Sequence, residues 1–178
     1  MVKLTRGGRR QNISAERKLH QIEEQYRDSG SEHGVVIDGK GNIILEFSGD
    51  EHNVVGDQKS LNAMKGNTAT HNHPTNTTFS TTDISNGIAR GELRELRATN
   101  PDGTTHVLNA KDADIDQRRS FSAQYGNQRM KAERLYDERV RKGYPVDGTK
   151  DEYIDRHLRQ WMKDNASNYG MTYEERKR

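Results

Sequence analysis

The chain has 178 residues and a formal net charge of +2, and this length suits one domain, or one domain with an appended arm. Leu, Ile, Val and Phe together supply 29 residues (16%), so any core is small, but so low a net charge argues against disorder of the whole chain. The absence of cysteine excludes disulfides and thiolate metal ligands, and no apolar stretch approaches the roughly 20 residues of a membrane span. Because the basic start MVKLTRGGRR is followed by no apolar segment, we expect a cytoplasmic protein without membrane contact.

Charge is unevenly distributed along the chain. Residues 1–27 carry a net charge of +4, residues 28–116 one of −7, and residues 117–178 one of +5. We interpret the three parts as a basic N-terminal segment with an amphipathic helix, a central domain, and a basic helical C-terminal extension.

The first predicted element is a helix over 13–27, where Leu19 and Ile22 recur at helical spacing. A β-hairpin follows, because two β-rich runs, GVVI and NIILEF, flank a DGKG turn at 38–41. Val54 and Val55 predict a further short extended segment.

The later elements alternate between helix and strand. They are a helix over 59–64, a strand over 68–70, a helix over 83–93, a hairpin over 96–99 and 105–109, and helices over 121–140 and 154–162. This order predicts an α/β fold in which a mixed sheet of hairpins is flanked by helices.

The stretch THNHPTNTTFSTTDI, residues 70–84, carries the pattern that points to chemistry. His71 and His73 are two residues apart on an extended segment, so their side chains project to the same side of it. Both imidazoles can therefore face one ion. Pro74 ends the strand, because proline lacks the amide hydrogen and fixes φ.

Ser80 and Asp83 have the spacing of a helix start, with Ser80 as the N-cap. The Asp83 carboxylate then lies beside a loop short enough to fold back onto the two histidines. Two imidazoles and one carboxylate supply three zinc ligands at about 2.0–2.2 Å and leave the fourth position open, as catalytic zinc sites do. An ordinary capping box has the same spacing, and the two functions are compatible.

Hydrolysis at such a site needs more than the ligands. Zinc lowers the pKa of a bound water to about 7, and a carboxylate outside the ligand set is expected to carry the proton. Ser80 can donate a hydrogen bond to the developing oxyanion, a contribution of about 3 kcal/mol in other hydrolases.

The segment resembles the motif of the JAB/MPN (JAMM) zinc metalloenzymes, in which an upstream Glu is followed by His-x-His-Pro, a short loop and Ser-x-x-Asp. HNHP with the following FSTTDI is most similar to the RadC-like branch and to JAB-like modules of phage head-morphogenesis proteins and bacterial polymorphic toxins. The likeness covers about residues 19–110. It implies a JAB/MPN (cytidine-deaminase-like) domain over 28–116, Zn2+ held by His71, His73 and Asp83, and Ser80 at the oxyanion.

The resemblance also implies that a Glu at the start of the first core strand is the general base. Glu32 fits, since SEHGVV resembles the entry to that strand, and Glu46 and Glu51 are the alternatives. Six residues separate His73 from Ser80, where the family usually has seven, so the loop is tighter here. The implied reaction is cleavage of peptide or isopeptide bonds in a protein or peptide substrate, within a bacterial host cell, in a virion, or by a delivered effector.

Two other functions belong to different classes. A non-catalytic phage structural module would keep the fold and offer the helical C-terminal extension to a protein partner. A RadC-like protein acting around DNA would use Arg118, Arg119 and Arg129, although the acidic central segment argues against phosphate substrates. The contiguous letters His-Asn-His do not match an HNH nuclease, whose motif residues are dispersed along the chain.

Overall fold

The computed structural model of the protein describes residues 6–48 and 57–177. Within them lies a six-stranded sheet flanked by helices, which confirms the α/β class. The helices are α1 (Arg6–Tyr26), α2 (Gln58–Met64), α3 (Thr81–Asp83, continued by π-helical turns over Ile84–Arg90), α4 (Ile115–Arg141) and α5 (Lys150–Asn165, continued by a 3-10 turn over Ala166–Tyr169). The strands are β1 (His33–Ile37), β2 (Ile43–Ser48), β3 (Thr68–Asn72), β4 (Glu95–Thr99), β5 (Thr104–Asn109) and β6 (Thr172–Lys177).

The strand order across the sheet is β2-β1-β3-β4-β5-β6. β3 and β4 run parallel at the centre, and each of the other neighbouring pairs is antiparallel. A parallel pair needs a crossover connection, and the chain from the end of β3 through α3 supplies it. The loop that follows β3 therefore leaves the sheet at its centre.

The sheet buries apolar side chains on both faces, as the alternation along β1 shows. Val35 and Ile37 pack against Leu19 and Ile22 of α1, whereas Val36 belongs to the larger core on the opposite face. That larger core joins the sheet to α2, α3, α4 and α5, so the central segment and the two C-terminal helices share one core cluster.

A buried arginine fixes α1 to the sheet. The Arg97 guanidinium, on β4, lies 2.7 Å from a Glu16 carboxylate oxygen, 3.3 Å from Glu23 and 2.6 Å from Glu95. A buried charge is tolerated when it is paired in this way. Because α1 is anchored to the sheet, the short connection from α1 to β1 has both ends held in place. This connection carries Glu32.

The chain ends in a strand that the sequence prediction lacked. β6 pairs antiparallel with β5, and the Tyr173 hydroxyl lies 2.8 Å from His106 Nδ1 across this pair. The prediction that the chain closes with helices alone was wrong here, because β6 is a charged edge strand without an apolar alternation. The 117–178 segment thus supplies part of the sheet, and the division of the chain at 116 stays a prediction.

Smaller differences concern element bounds. The strand predicted over 68–70 continues through His71 to Asn72, and the helix predicted over 83–93 begins at Thr81 and ends at Arg90. The pair at 54–55 lies outside the described residues. None of the described helices is both long enough and apolar enough to cross a membrane.

Candidate metal centre

His71 and His73 stand at the end of β3. His71 lies between Gly34 of β1 and Ala98 of β4, and the His73 amide donates to the Thr99 carbonyl at 2.9 Å, which extends the ladder by one residue. Because the backbone stays extended through both positions, the two side chains project to the same side. Their Nε2 atoms are 2.9 Å apart, as the spacing predicted.

Asp83 reaches the histidines from the start of α3. Ser80 is the N-cap: its hydroxyl accepts from the Asp83 amide at 3.0 Å, and its own amide donates to Asp83 Oδ2 at 2.7 Å. The same Oδ2 lies 3.5 Å from Nε2 of each histidine. The capping box therefore turns one carboxylate oxygen toward both imidazoles.

Glu32 completes the cluster from the segment before β1. One ligand atom from each of Glu32, His71, His73 and Asp83 lies within 4.8 Å of the other three. Of the two alternative bases, Glu46 is exposed and borders a different depression, beside Tyr26 and His33, whereas Glu51 lies outside the described residues. Glu32 is thus the predicted base that the structure places beside the histidines.

The donor set could hold a divalent metal ion. A tetrahedral ion with ligands at about 2.0–2.2 Å separates its donors by about 3.3–3.6 Å. The two distances from Asp83 Oδ2 to the imidazole nitrogens fall in this range, and the separation of the two nitrogens is shorter by about 0.4 Å. His73 Nδ1 lies 3.0 Å from the Thr77 carbonyl, a bond that places the proton on Nδ1 and leaves Nε2 free as a ligand.

The charges in the cluster favour an ionised Asp83. Burial acts to raise the pKa of this carboxyl, but the neighbouring imidazoles of His71 and His73 hold it well below its usual value. Burial likewise opposes protonation of His73, and the hydrogen bond and charge of Asp83 outweigh it, so the pKa of His73 is raised. An ionised carboxylate beside imidazole nitrogens is an arrangement that suits a cation.

Comparison with known proteins does not assign this chain to a family. No family model, curated protein or solved structure matches the chain. The family resemblance therefore depends on the motif residues of this chain, and the functional conclusion depends on their geometry.

Asn72, between the two histidines, has a role that the sequence prediction missed. It is 1% exposed and projects to the opposite side of β3. Its Oδ1 accepts from the His33 amide at 2.7 Å, and its Nδ2 donates to the carbonyls of Ser31 at 3.0 Å and Ser29 at 3.4 Å. These bonds bracket Glu32 on both sides along the chain and fix its backbone relative to the histidines.

Two residues of the C-terminal helices hold the loop between His73 and Ser80. The Tyr125 hydroxyl of α4 donates to the Phe79 carbonyl at 2.6 Å, and Asp155 of α5 accepts from the Thr78 amide at 2.6 Å. The helical pattern predicted both helices, but no local sequence signal links them to this loop. A buried Tyr or Asp on an otherwise apolar face was the available hint, because such groups need a partner.

Of the arginines proposed to contact DNA, Arg118 is 6% exposed. Its guanidinium donates to the carbonyls of Leu93 at 2.7 Å and Ala110 at 2.6 Å, inside the protein. Arg129 forms an ion pair with Glu133 at 3.4 Å. Arg118 therefore stabilises the core and is not available to a nucleic-acid backbone.

Two cavities meet at the cluster. One has a volume of about 370 Å³ and the other of about 680 Å³, and Glu32, His73 and Ser80 border both. Both volumes lie in the range of about 300–1,000 Å³ that is typical of ligand sites. The smaller cavity is bordered by all four residues of the cluster, whereas the larger one is bordered by Glu32 and His73 alone of the four.

Proposed function

We propose that the protein is a zinc-dependent hydrolase of the JAB/MPN type that cleaves peptide or isopeptide bonds. The observation that carries the proposal is the convergence of His71, His73 and Asp83, with donor atoms 2.9–3.5 Å apart, and of Glu32 within the same 4.8 Å cluster. These residues come from the end of a strand, a helix start and the segment before β1, and all four border the smaller cavity.

In this mechanism the ligands would be His71, His73 and Asp83. Bound zinc supplies Lewis acidity toward the substrate carbonyl and lowers the pKa of a water molecule to about 7. Asp83 is held in place by the Ser80 amide, and His73 by the Thr77 carbonyl, so neither side chain has to reorganise. This preorganisation means that the two imidazoles and the carboxylate would be ready to hold the ion.

Glu32 would carry the proton. Its carboxylate takes a proton from the attacking water, the water oxygen bonds to the carbonyl carbon, and Glu32 then returns the proton to the nitrogen as the C–N bond breaks. The products are a carboxylic acid and an amine, so the atoms of one water molecule are accounted for. Asn72 keeps Glu32 beside the reacting atoms through its bonds to the adjacent backbone.

Ser80 would stabilise the oxyanion. Its hydroxyl oxygen accepts from the Asp83 amide, and a hydroxyl that accepts one bond still has a proton to donate. Ser80 borders both cavities, so this proton can point to a carbonyl oxygen that enters from either one.

The test measures zinc content and hydrolysis separately. We expect the wild type and Glu32→Gln to bind one equivalent of zinc, and His71→Ala to bind less than either. Against a proteome-derived peptide library read by mass spectrometry, Glu32→Gln should be slower by about 10²–10⁴-fold, the usual contribution of an acid-base group. Absence of stoichiometric zinc in the wild type would contradict the proposal, as would undiminished hydrolysis by Glu32→Gln.

A further inference from the structure

The smaller cavity is polar on one side and apolar on the other. Its polar edge is the candidate metal centre, and the rest of its described lining includes Phe47, Met64, Ala69, Leu93 and Leu96. The apolar side chains come from β2, α2, β3, the segment after α3 and β4, so the cavity is built by five separate parts of the fold. It has the composition expected of a ligand site, which is largely apolar with a few convergent polar groups.

The apolar wall is rigid. Met64, Ala69, Leu93 and Leu96 are at most 3% exposed and belong to the main core, where close packing holds side chains in fixed positions. A buried apolar wall that faces an open volume binds apolar groups better than it binds water, since water there finds few hydrogen-bond partners.

Two glycines shape this wall. The Phe47 ring lies where a side chain on Gly34 would stand, because a Cβ added at Gly34 would clash with the ring. The ring is thereby seated 6.4 Å, centroid to centroid, from the His71 imidazole. Gly87 also borders the cavity, and a Cβ there would come within 2.9 Å of Leu93 Cδ1. The absence of both side chains lets Phe47 and Leu93 take these positions.

We propose that this cavity is the subsite for a bulky apolar side chain, of the size of Leu, Met or Phe, on a residue that flanks the bond to be cleaved. The inference rests on the proposed hydrolase function and names its substrate class. A glycine at that position would leave the apolar part of this cavity without an occupant. The larger cavity differs in character, because it is bordered by Asp151, Glu152 and Arg129, and it suits the polar remainder of the substrate chain.

The experiment uses the zinc-loaded 178-residue protein and three amino-acid hydroxamates, those of leucine, phenylalanine and glycine. Their binding is measured by isothermal titration calorimetry. The hydroxamate group chelates zinc equally in all three, so that differences in affinity report the side chain. We expect the leucine and phenylalanine compounds to bind about 10- to 100-fold more tightly than the glycine compound, the gain typical of burying such a side chain.

A variant locates the effect in this cavity. Asn86 borders it and is half-buried, so Asn86→Phe should fill the space and reduce the preference for leucine over glycine to less than about threefold. Ser85→Phe is the matched control, because Ser85 has similar exposure and lies outside the lining, and it should keep the preference. Thermal melts of both variants check that the fold is retained.

The outcomes separate the two proposals. Equal binding of the three hydroxamates would overturn the apolar subsite and leave the zinc centre intact. Failure of all three to bind, together with an absence of zinc, would overturn the proposed function and the subsite with it. An unchanged leucine preference in Asn86→Phe would place the selecting surface elsewhere and would also overturn this inference.

Discussion

Replacing Asn72 with Ala tests whether the residue between the two histidines positions the proton carrier. The substitution removes the acceptor of the His33 amide at 2.7 Å and the donor to the Ser31 carbonyl at 3.0 Å. An amide left without a partner at a partly buried position costs about 1–3 kcal/mol, so we expect a loss in free energy of unfolding of about 2–3 kcal/mol. Urea denaturation followed by circular dichroism measures it.

The effect on the site should be selective. His71 and His73 lie on the opposite side of β3 and bond to other partners, so Asn72→Ala should keep zinc at one equivalent. Glu32 loses the bonds that bracket it, and a displacement of about 1 Å in a catalytic group costs about 10²-fold in rate. The expected pattern is therefore a retained metal with slower hydrolysis of the same peptide library.

Asn109→Ala is the control for Asn72→Ala. Asn109 also loses two side-chain hydrogen bonds, one to Glu95 Oε2 at 3.0 Å and one from the Lys111 amide at 3.1 Å. It pairs with Glu95, at the end of the sheet away from His71. Equal losses of activity in the two variants, or a stability loss in Asn72→Ala below about 0.5 kcal/mol, would refute the positioning role.

Three further variants test the cap, the loop anchor and a buried imidazole. Ser80→Ala keeps the backbone amide that holds the Asp83 carboxylate but removes the hydroxyl that accepts from the Asp83 amide. It should therefore cost about 1 kcal/mol of stability and, by loosening the helix start that carries Asp83, weaken zinc binding about 10-fold. Thr149→Ala removes the equivalent cap of α5 and should leave zinc affinity unchanged. Tyr125→Phe removes one buried hydrogen bond and should lower the free energy of unfolding by about 1 kcal/mol, measured in urea. Burial lowers the pKa of His106 from 6.5 to about 4. As the pH falls, the unfolded chain therefore binds this proton before the folded protein does, which favours unfolding. We expect a loss of up to about 3 kcal/mol in the free energy of unfolding between about pH 6.5 and pH 4.

Each of these expectations has a contrary result. Zinc affinity that falls equally in Ser80→Ala and Thr149→Ala would show that general destabilisation, not the orientation of Asp83, is responsible. Full stability in Tyr125→Phe would remove its role as an anchor. A His106→Gln variant should have a flatter dependence of unfolding free energy on pH over the same window, and an unchanged slope would contradict the assignment to His106.

Local patterns predicted the local geometry of the candidate site. The alternation of an extended chain placed His71 and His73 on one side, and the capping spacing placed Asp83 at a helix start, and both arrangements are present. These features extend over a few residues, so the backbone period alone determines them. The histidines and Asp83 are brought together by the loop between them, and local sequence patterns do not predict the path of that loop.

The hydrogen bonds that hold the candidate site in place could not be predicted from the sequence. Asn72 acts on a segment about 40 residues earlier in the chain, and Tyr125 and Asp155 act on a loop that precedes them by 46 and 77 residues. Pairings of this kind are set by tertiary packing and leave no periodic signal. β6 was missed for a related reason, since its residues are charged and its strand conformation comes from pairing with β5.

The anchoring of the ligand loop by α4 and α5 links cation binding to the folding of the second half of the chain. A nascent chain that ends before residue 125 contains all four residues of the candidate centre but neither anchor of the loop. If docking of the two helices strengthens cation binding by fixing the loop, then cation binding stabilises the docked helices by the same free energy, because the coupling is reciprocal. For a cation held at this site, binding and completion of the fold would be coupled steps, and the cation would stabilise the protein late in its synthesis.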